Sequence, residues 1–355
     1  MRILTKYKTG KIAPLALLTI IFISKVLTAF TTGTVLSKGV FAPDMAFSIV
    51  ISYLLNLVLS FPLIYGLENG KSPLNLKSLS TAYGVYFVFL GAVIISRFSY
   101  FAATELNPDS NPMFYCMFII AFCVYATGLG AEPISRFASL VFAICVLGIL
   151  IIALLGTNEF QLMNLFPFTQ NSIGKIFINA INFSADPSEF VILYSLYNKI
   201  NGNVKKTFYI SQAMSYAVGL LMVLFVLGVL GNTANLSVFP MFKVSQVAKF
   251  SDNERLDSVY TAFWIFAVFL KSTVYMYGAS QMIAKSFYKV SHKKGYVITG
   301  VSVLVLSLIF VQFNSLVKVY QIVMAVLYAA FYVVIPVACA AFQKKDKGAE
   351  LIEKF

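Results

Sequence analysis

Five ionisable side chains lie near the middle of long apolar stretches, where an unpaired charge is costly. They are Lys25, Arg97, Asp186, Glu189 and Lys271. On insertion scales a charge at the centre of a membrane costs at least about 2.5–3.5 kcal/mol, so each residue is a candidate for function or for tying helices together. If Lys25 pairs with one of the two acids, the remaining positive charge suits a ligand carboxylate. Lys175 lies near the end of its stretch, where its ammonium can reach the interface.

Asp186, Pro187 and Glu189 form a helix-start pattern inside one apolar stretch. Aspartate suits the N-cap, proline the first helical position and glutamate the third. The pattern predicts two half-helices, at about 173–183 and 187–198, separated by an interruption. In the alternative interpretation, residues 172–184 are an external loop and the span begins at Asp186, although residues 176–183 are too apolar for a loop. The two acids either contact a ligand or only cap the second half-helix.

An interrupted helix at this depth indicates a binding site. Irregular backbone inside a membrane is tolerated where it faces protein or a cavity, and transporters built from inverted repeats bind substrate at such points. Ten spans divide into two halves of five, so the first span corresponds to the sixth, and its polar centre predicts a second interruption. The predicted ligand-binding residues are Ser24, Lys25, Thr28, Thr31, Phe183, Ser184, Asp186 and Glu189.

The stretches that position these residues are membrane spans. The 355 residues are 59% hydrophobic and 12% charged, and the mean hydropathy is +0.83. A span needs about 20 apolar residues. We predict an all-α protein with one transmembrane domain and spans at 12–36, 45–67, 81–105, 112–130, 135–155, 172–197, 207–231, 256–284, 296–313 and 319–342, followed by a tail at 343–355. The first stretch is too long for a secretory signal peptide, and no soluble domain is expected before or after the spans.

The loop charges predict the orientation. With a cytoplasmic N-terminus, the inner segments hold 18 lysines and arginines and the outer segments hold five. This excess satisfies the positive-inside rule, places both termini and the tail in the cytoplasm, and supports the helix count. The longest external loop, 232–255, is amphipathic, and it either contains a short helix over the bundle or is a plain solvated loop.

Composition excludes several classes of function. The +13 net charge comes from basic residues in short loops between spans, which argues against a nucleic-acid-binding face. The four cysteines lie inside apolar spans without a CxxC pair, and the single histidine is in a lysine-rich loop. We therefore expect no disulfide, no metal site, no cofactor and no enzymatic activity. Glu132 and Arg136 are four residues apart and suit an intrahelical ion pair at a cytoplasmic anchor.

Short motifs follow one another in order over nearly the whole chain. They are Gly130-Ala131-Glu132 with Arg136, Asn164-Leu165-Phe166-Pro167, Glu189, Phe239-Pro240, and Glu254-Arg255-Leu256-Asp257 followed by Trp264, Phe269-Leu270-Lys271 and Tyr275. The last set is similar to the ERLD…W…F-x-K…Y signature of the spore germination permeases. These are the B subunits of nutrient germinant receptors in endospore-forming bacteria. No single motif is specific, but the ordered set resembles this family.

The resemblance implies a fold, a site and partners. It implies the amino acid–polyamine–organocation superfamily, a LeuT-like 5+5 inverted repeat with broken helices 1 and 6, and a germinant site between these helices. It also implies an A subunit and a lipoprotein C subunit as partners in the spore inner membrane. Family members commonly have a glycine near the centre of the first span, where this chain has Lys25. A ligand site made there by bare backbone amides is therefore in question.

Two further charges have predicted structural roles. Lys271, central in the eighth span, either stands where related transporters hold a sodium ion or only binds backbone carbonyls of the first span. Arg97 is expected to tie helices together through Glu105 or an external carboxylate. Either arrangement would compensate the buried charge.

The expected function is nutrient sensing. We predict a membrane subunit that binds a small molecule, with an amino acid as the expected class, at the midplane between helices 1 and 6. The alternative is a proton- or sodium-coupled amino acid permease that moves the same ligand. The two share a fold and a site, and only the family resemblance favours sensing.

Overall fold

We describe the chain from a computed structural model that covers residues 11–36, 43–167, 171–185, 191–251, 254–255, 257–286, 292–312 and 317–343, with backbone only for 28–36, 249–251, 254–255, 292–293 and 317–321. The described part is almost entirely helical. Its α-helices are α1 (Pro14–Leu36), α2 (Met45–Leu59), α3 (Phe61–Glu68), α4 (Lys77–Phe101), α5 (Pro112–Leu129), α6 (Ala131–Leu155), α7 (Ile173–Ala185), α8 (Ile192–Leu196), α9 (Val204–Leu230), α10 (Pro240–Val247), α11 (Asp257–Ser286), α12 (His292–Gln312), α13 (Val317–Tyr328) and α14 (Ile335–Phe342).

Eight helical segments of the described chain are long and apolar enough to cross a membrane. They are Met45–Glu68, Lys77–Leu106, Pro112–Leu129, Ala131–Glu159, Val204–Leu236, Asp257–Ser286, Lys294–Gln312 and Ile322–Phe342. A shorter apolar helix covers Pro14–Leu27. The chain is therefore a multi-pass membrane protein, and the total of ten spans stays a prediction.

Helix α1 differs from the sequence-based expectation. It is one continuous α-helix from Pro14 to Leu36, so the predicted interruption at its polar centre is absent. Between Pro14 and Gly33 the sequence contains neither proline nor glycine, and every residue can form its helical hydrogen bond. As described below, the Lys25 ammonium at this centre is bonded to another helix without local unwinding of α1.

The predicted break of the sixth span lies outside the described residues. Helix α7 ends at Ala185 and α8 begins at Ile192, and the segment 186–190 between them is not described. Asp186 and Glu189 both fall in this segment. The predicted division into two half-helices therefore stays a prediction, while the helical segments on either side are present.

The centre of the bundle is built on α4 and α11, which pack against each other along most of their length. Gly278 of α11 allows this approach, since a Cβ there would lie 3.1 Å from a ring carbon of Phe87. Helix α1 packs between α9 and α6, and α2 packs against α7 and α9. The helices that carry the predicted site are therefore enclosed by their neighbours.

The long loop after α9 contains a short helix, α10, as one of the two sequence interpretations expected. Its first turn packs on the bundle through Phe239 and Phe242, which contact the rings of Phe101, Tyr260 and Trp264. A two-stranded antiparallel ribbon, β1 (Lys249–Ser251) and β2 (Glu254–Arg255), follows. The loop therefore covers one end of the bundle.

Candidate functional site

The carbonyl of Phe183, near the end of α7, lacks its usual helical donor. In an unbroken α-helix it would accept a hydrogen bond from the amide four residues later, which here is Pro187 and has no N–H. The Nζ of Lys25, on α1, donates to this carbonyl at 2.7 Å. A buried carbonyl without a donor would be costly, so the lysine supplies the bond that the proline removes.

The ammonium of Lys25 also lies near two aromatic rings. It is 4.7 Å from the ring centroid of Phe183 and 5.2 Å from that of Tyr216, on α9. Both distances are within the range of about 6 Å for cation–π attraction. The side chain of Lys25 is only 1% exposed. One carbonyl and two ring faces therefore contact a fully buried ammonium group.

A chain of hydrogen bonds leads away from Ser184, the residue next to Phe183. Its hydroxyl and that of Ser52 are 2.7 Å apart, and Ser52 Oγ lies 3.1 Å from the hydroxyl of Tyr216. Asn56 donates to the same tyrosine oxygen at 2.6 Å and accepts from the hydroxyl of Tyr328 at 2.9 Å. The end of α7 is thus joined by side chains to α2, α9 and α13.

The network includes residues that are not among the sequence-based candidates. A signal for it is present in the second span, which carries a polar residue at every fourth position: Ser48, Ser52, Asn56 and Ser60. All four are buried. That spacing places them on one helix face, and a polar face in an apolar helix indicates contact with other polar groups. Tyr216 and Tyr328 carry no comparable signal, because tyrosines are abundant throughout the chain.

Lys271, on α11, makes a second lysine contact with α1. Its Nζ donates to the carbonyl of Ser24 at 2.7 Å, and its side chain is 1% exposed. This is the backbone contact that one of the two sequence interpretations describes. The lysines of α1 and α11 therefore form a series, with α11 bound to α1 and α1 bound to α7.

The other predicted site residues are placed as follows. The side chains of Thr28 and Thr31 lie outside the described part of the structure, as do Asp186 and Glu189 entirely. Arg97 is half-buried on α4. The structure brings together Ser24, Lys25, Phe183 and Ser184.

Glu105 and Glu132 make ion pairs away from the midplane. Glu105, one predicted partner of Arg97, pairs with Lys243 of α10 at 3.4 Å. Glu132 and Arg136 form the intrahelical pair expected from their spacing, at 2.6 Å. The second pair is largely exposed and contributes little to stability.

A large cavity opens at the opposite end of α11 from α10, on the predicted cytoplasmic side. Its volume is about 730 Å³, and its lining includes Thr127, Glu132, Arg136, Lys199 and Tyr277. Lys199 donates to the hydroxyl of Tyr277 and lies 4.6 Å from its ring centroid. Burial lowers the pKa of Lys199 below its usual value. Pockets of this size are typical of small-molecule sites.

The start of α1 is tied to the segment that follows α8. The amide of Ile12 donates to the carbonyl of Lys199 at 2.8 Å, and the amide of Asn201 donates to the carbonyl of Ile12 at 3.0 Å. Gly202 has a φ of +139°, and a Cβ there would lie 2.7 Å from Pro14. Only glycine therefore fits this close approach without strain.

Neither a metal site nor a catalytic constellation emerges from the described side chains. Among them, no group of three or more histidine, cysteine, aspartate or glutamate residues could hold a metal ion. What the midplane offers is hydrogen bonding and positive charge.

Comparison with solved structures identifies the fold. The chain resembles a Na⁺-coupled sialic acid symporter in a substrate-bound outward-open state, with a TM-score of 0.63 at 13% identity over 92% of this chain and 80% of that one. A nucleobase-cation-symport-1 family transporter, in a closed conformation with bromovinylhydantoin bound, aligns over the same shares at 12% identity with a TM-score of 0.42, too low to carry an argument. The fold is therefore the LeuT-like fold that the motifs implied.

Comparison with known sequences identifies the family. No curated protein matches the chain. The family model described as "Spore germination protein" matches residues 77–321, which is more than two thirds of the chain and contains most of the ordered motifs. The chain belongs to the spore germination protein family.

Proposed function

We propose that this chain is the nutrient-sensing membrane subunit of a spore germination receptor. In this proposal it binds a small molecule, with an amino acid as the expected class, at the midplane between α1 and the pair α7 and α8. The bond between Lys25 and the Phe183 carbonyl carries the proposal. It joins the two helices at the point where proline chemistry interrupts helical hydrogen bonding. Such interruptions are where transporters of this architecture expose polar backbone to a ligand.

The charges near this point suit a zwitterion. If Lys25 pairs with Asp186 or Glu189, the positive excess that remains in the site suits a ligand carboxylate. Asp186, which directly follows α7 in sequence, suits a ligand ammonium. The full candidate set remains the one predicted from sequence: Ser24, Lys25, Thr28, Thr31, Phe183, Ser184, Asp186 and Glu189.

The hydrogen-bond chain from Ser184 offers a route by which binding would be sensed. A ligand that takes the Ser184 hydroxyl competes with Ser52 for it. Ser52 in turn contacts Tyr216, which is bonded to Asn56. Binding would therefore change contacts on α2, α9 and α13 together. A response of several helices is what a receptor subunit needs in order to signal to neighbours.

The proposal extends to partners and location. The family resemblance implies an A subunit and a lipoprotein C subunit, and we propose the spore inner membrane with both termini and the tail 343–355 in the cytoplasm. The excess of lysine and arginine in the inner loops supports this orientation.

A coupled amino acid permease is the second candidate. The cavity of about 730 Å³ on the predicted cytoplasmic side favours it, because a transported molecule needs an exit. The cavity equally suits a partner contact in a receptor. Flux across a membrane separates the two functions.

The test is equilibrium binding of an amino acid panel to the purified chain, together with uptake into proteoliposomes. Binding without net flux, weakened by Ser184→Ala and by Asp186→Ala, supports the sensing subunit. The matched control is Ser307→Ala, a buried serine on α12 that donates to the carbonyl of Leu304 in its own helix and also contacts Cys116 of α5. Uptake driven by a proton or sodium gradient would make the chain a permease. Absence of binding by every member of the panel would refute an amino acid ligand.

A further inference from the structure

The cavity on the predicted cytoplasmic side is lined by residues of α5, α6, α11 and α12 and by the segment after α8. Its volume of about 730 Å³ is sufficient for a small organic molecule. None of its lining residues belongs to the candidate set at the midplane. The ligand of this cavity is therefore independent of the one proposed there.

Thr127, on α5, brings an unbonded hydroxyl to the cavity wall. The residue is 4% exposed, and its Oγ1 has no hydrogen-bond partner in the described part of the chain. Two other buried hydroxyls bond within their own helices. Ser135 of α6 donates to the carbonyl of Glu132, and Thr299 of α12 donates to that of Gly295. A buried hydroxyl without a partner is costly, so Thr127 is suited to bond a ligand in the cavity.

Lys199 brings a positive charge to the same wall. Its ammonium donates to the hydroxyl of Tyr277 and lies 4.6 Å from the centroid of that ring. It forms no ion pair with any acid that the structure describes. Because the Tyr277 oxygen accepts the bond from Lys199, the phenol keeps its own proton for an acceptor in the cavity. The two side chains therefore suit an anion.

Glu132, the acid in the described lining, is already paired. Its carboxylate binds Arg136 at 2.6 Å, so these two residues together add no net charge. The remaining charged residue of the described lining is Lys199. The wall of the cavity therefore carries one net positive charge.

The wall also contains the start of α6. Gly130 precedes this helix with a φ of +94° and has no side chain to cap its first amides. A Cβ at Gly130 would meet nothing within 4 Å, so the space beside these amides is open. The first amides of a helix have no intrahelical acceptor and favour anions. They add main-chain donors to those of Thr127 and Lys199.

We infer that this cavity binds a small molecule through a carboxylate group, with Lys199, Thr127 and the start of α6 as the donors. One unpaired positive charge suits a singly charged group. A phosphate would favour a free arginine or several cations, and the arginine of the lining is held by Glu132. The bound carboxylate would join the junction of α5 and α6 to the segment after α8, where the start of α1 is attached.

The experiment is a titration of the purified full chain in detergent with sodium butyrate, measured by ligand-observed NMR against protein-free micelles. Thr127→Val should weaken binding about three- to tenfold, because it removes one neutral hydrogen bond. Lys199→Met should weaken it by about tenfold or more, because it removes a charged donor. The neutral analogue butyramide should bind wild type more weakly than butyrate. Equal binding of butyrate by wild type and both variants, or equal binding of butyramide, would overturn the inference.

Matched controls separate ligand contact from loss of structure. Thr299→Val removes a buried hydroxyl that bonds within α12, and Lys206→Met removes an exposed lysine of α9. Both should bind butyrate as wild type does. Thr127→Val loses no hydrogen bond of the described chain, so its unfolding midpoint without butyrate should not fall below that of wild type. A Thr127→Val variant that lost binding and also unfolded at lower temperature would give the hydroxyl a structural role and overturn its assignment as a ligand donor.

Chemical protection locates the bound ion. Acetylation of Lys199 by an amine-reactive reagent is followed by peptide mass spectrometry. Butyrate at about ten times its dissociation constant should slow this reaction about tenfold in wild type and only about two- to fourfold in Thr127→Val. Acetylation of Lys206 should not change. Binding of butyrate without protection of Lys199 would place the ion elsewhere and overturn the inference, whatever the amino acid panel shows for the midplane.

Two further probes test the chemical class of the ligand. Inorganic phosphate represents a phosphate group, and a capped acidic tripeptide represents an acidic segment of a partner protein. Butyrate should protect Lys199 at lower concentration than phosphate does, and the peptide should protect it no better than butyrate. Protection by either probe at less than about a tenth of the butyrate concentration would overturn the assignment to a small carboxylate.

Discussion

Lys25 and Lys271 are both buried, and the Nζ of each donates to a main-chain carbonyl at 2.7 Å. The two carbonyls differ in whether they also have a helical donor. The Phe183 carbonyl has lost its helical donor to Pro187. The Ser24 carbonyl lies within the continuous helix α1, where the amide of Thr28 is in register to donate. Lys25 therefore replaces a hydrogen bond, while Lys271 adds one. The same contact is thus essential at one site and supplementary at the other.

Among these variants, Lys25→Met is expected to reduce the stability of the protein most. It leaves the buried Phe183 carbonyl without a donor and should lower the free energy of unfolding by about 1–3 kcal/mol. Thermal unfolding of the purified protein measures the change. A variant as stable as wild type would show that the carbonyl finds another donor.

Lys271→Met should lower the free energy of unfolding by less, about 0.5–1.5 kcal/mol, because the Ser24 carbonyl keeps its helical hydrogen bond. The same unfolding measurement compares it with Lys25→Met. If the order of the two variants were reversed, the distinction between replacing and adding a hydrogen bond would be wrong.

Pro187→Ala tests the cause of the difference. It restores an amide that can donate to the Phe183 carbonyl, so the cost of Lys25→Met in this background should fall by about 0.5–1.5 kcal/mol. A double-mutant cycle on the two positions gives this coupling. Additive effects would mean that the proline is not the reason for the lysine.

Tyr216→Phe tests the contribution of the Tyr216 hydroxyl to the environment of Lys25. It removes the hydroxyl that contacts Ser52 and Asn56 but keeps the ring face toward Lys25. We expect a loss of about 0.5–1.5 kcal/mol in unfolding free energy. Thermal unfolding measures the change, and a variant as stable as wild type would show that the hydroxyl contacts do not contribute to stability.

The smallest effect on stability is expected from the titration of Lys199, which lies outside the membrane spans. Burial lowers its pKa, so the folded chain releases this proton at lower pH than the unfolded chain. Its contribution to stability therefore rises with pH between the lowered and the usual pKa, and is constant below that interval. The stability of wild type relative to Lys199→Met should increase as the pH rises from the lowered pKa toward the usual pKa of a lysine. The exposed Lys206→Met is the control, and an equal slope there would contradict the prediction.

The sequence predicted membrane-spanning helices because long apolar stretches follow from the cost of polar groups in lipid. The orientation inferred from the loop charges stays a prediction. Sequence reasoning located Lys25, Phe183 and Ser184 as candidates from their positions alone. It was wrong about an interruption in α1, because buried polarity was taken to require unwinding. In the structure the Lys25 ammonium bonds to a carbonyl of α7, and α1 stays continuous.

The pairing of residues could not be predicted in the same way. Sequence reasoning did not predict that Lys25 donates to the Phe183 carbonyl, and its predicted pairing with Asp186 or Glu189 stays a prediction because both acids lie outside the described residues. The contact with Phe183 depends on which faces of α1 and α7 meet. The serine and asparagine positions of α2 were visible as a periodic pattern, but their partners lie more than 100 residues away.

The two attachments of α1 make this helix a bridge between α7 and the segment after α8. Lys25 holds the end of α7, and Ile12 holds the segment after α8 at Lys199 and Asn201. The attachment points are 13 positions apart along the chain, or about 20 Å along a helix. A displacement of α7 would therefore act through α1 on the segment after α8 as well.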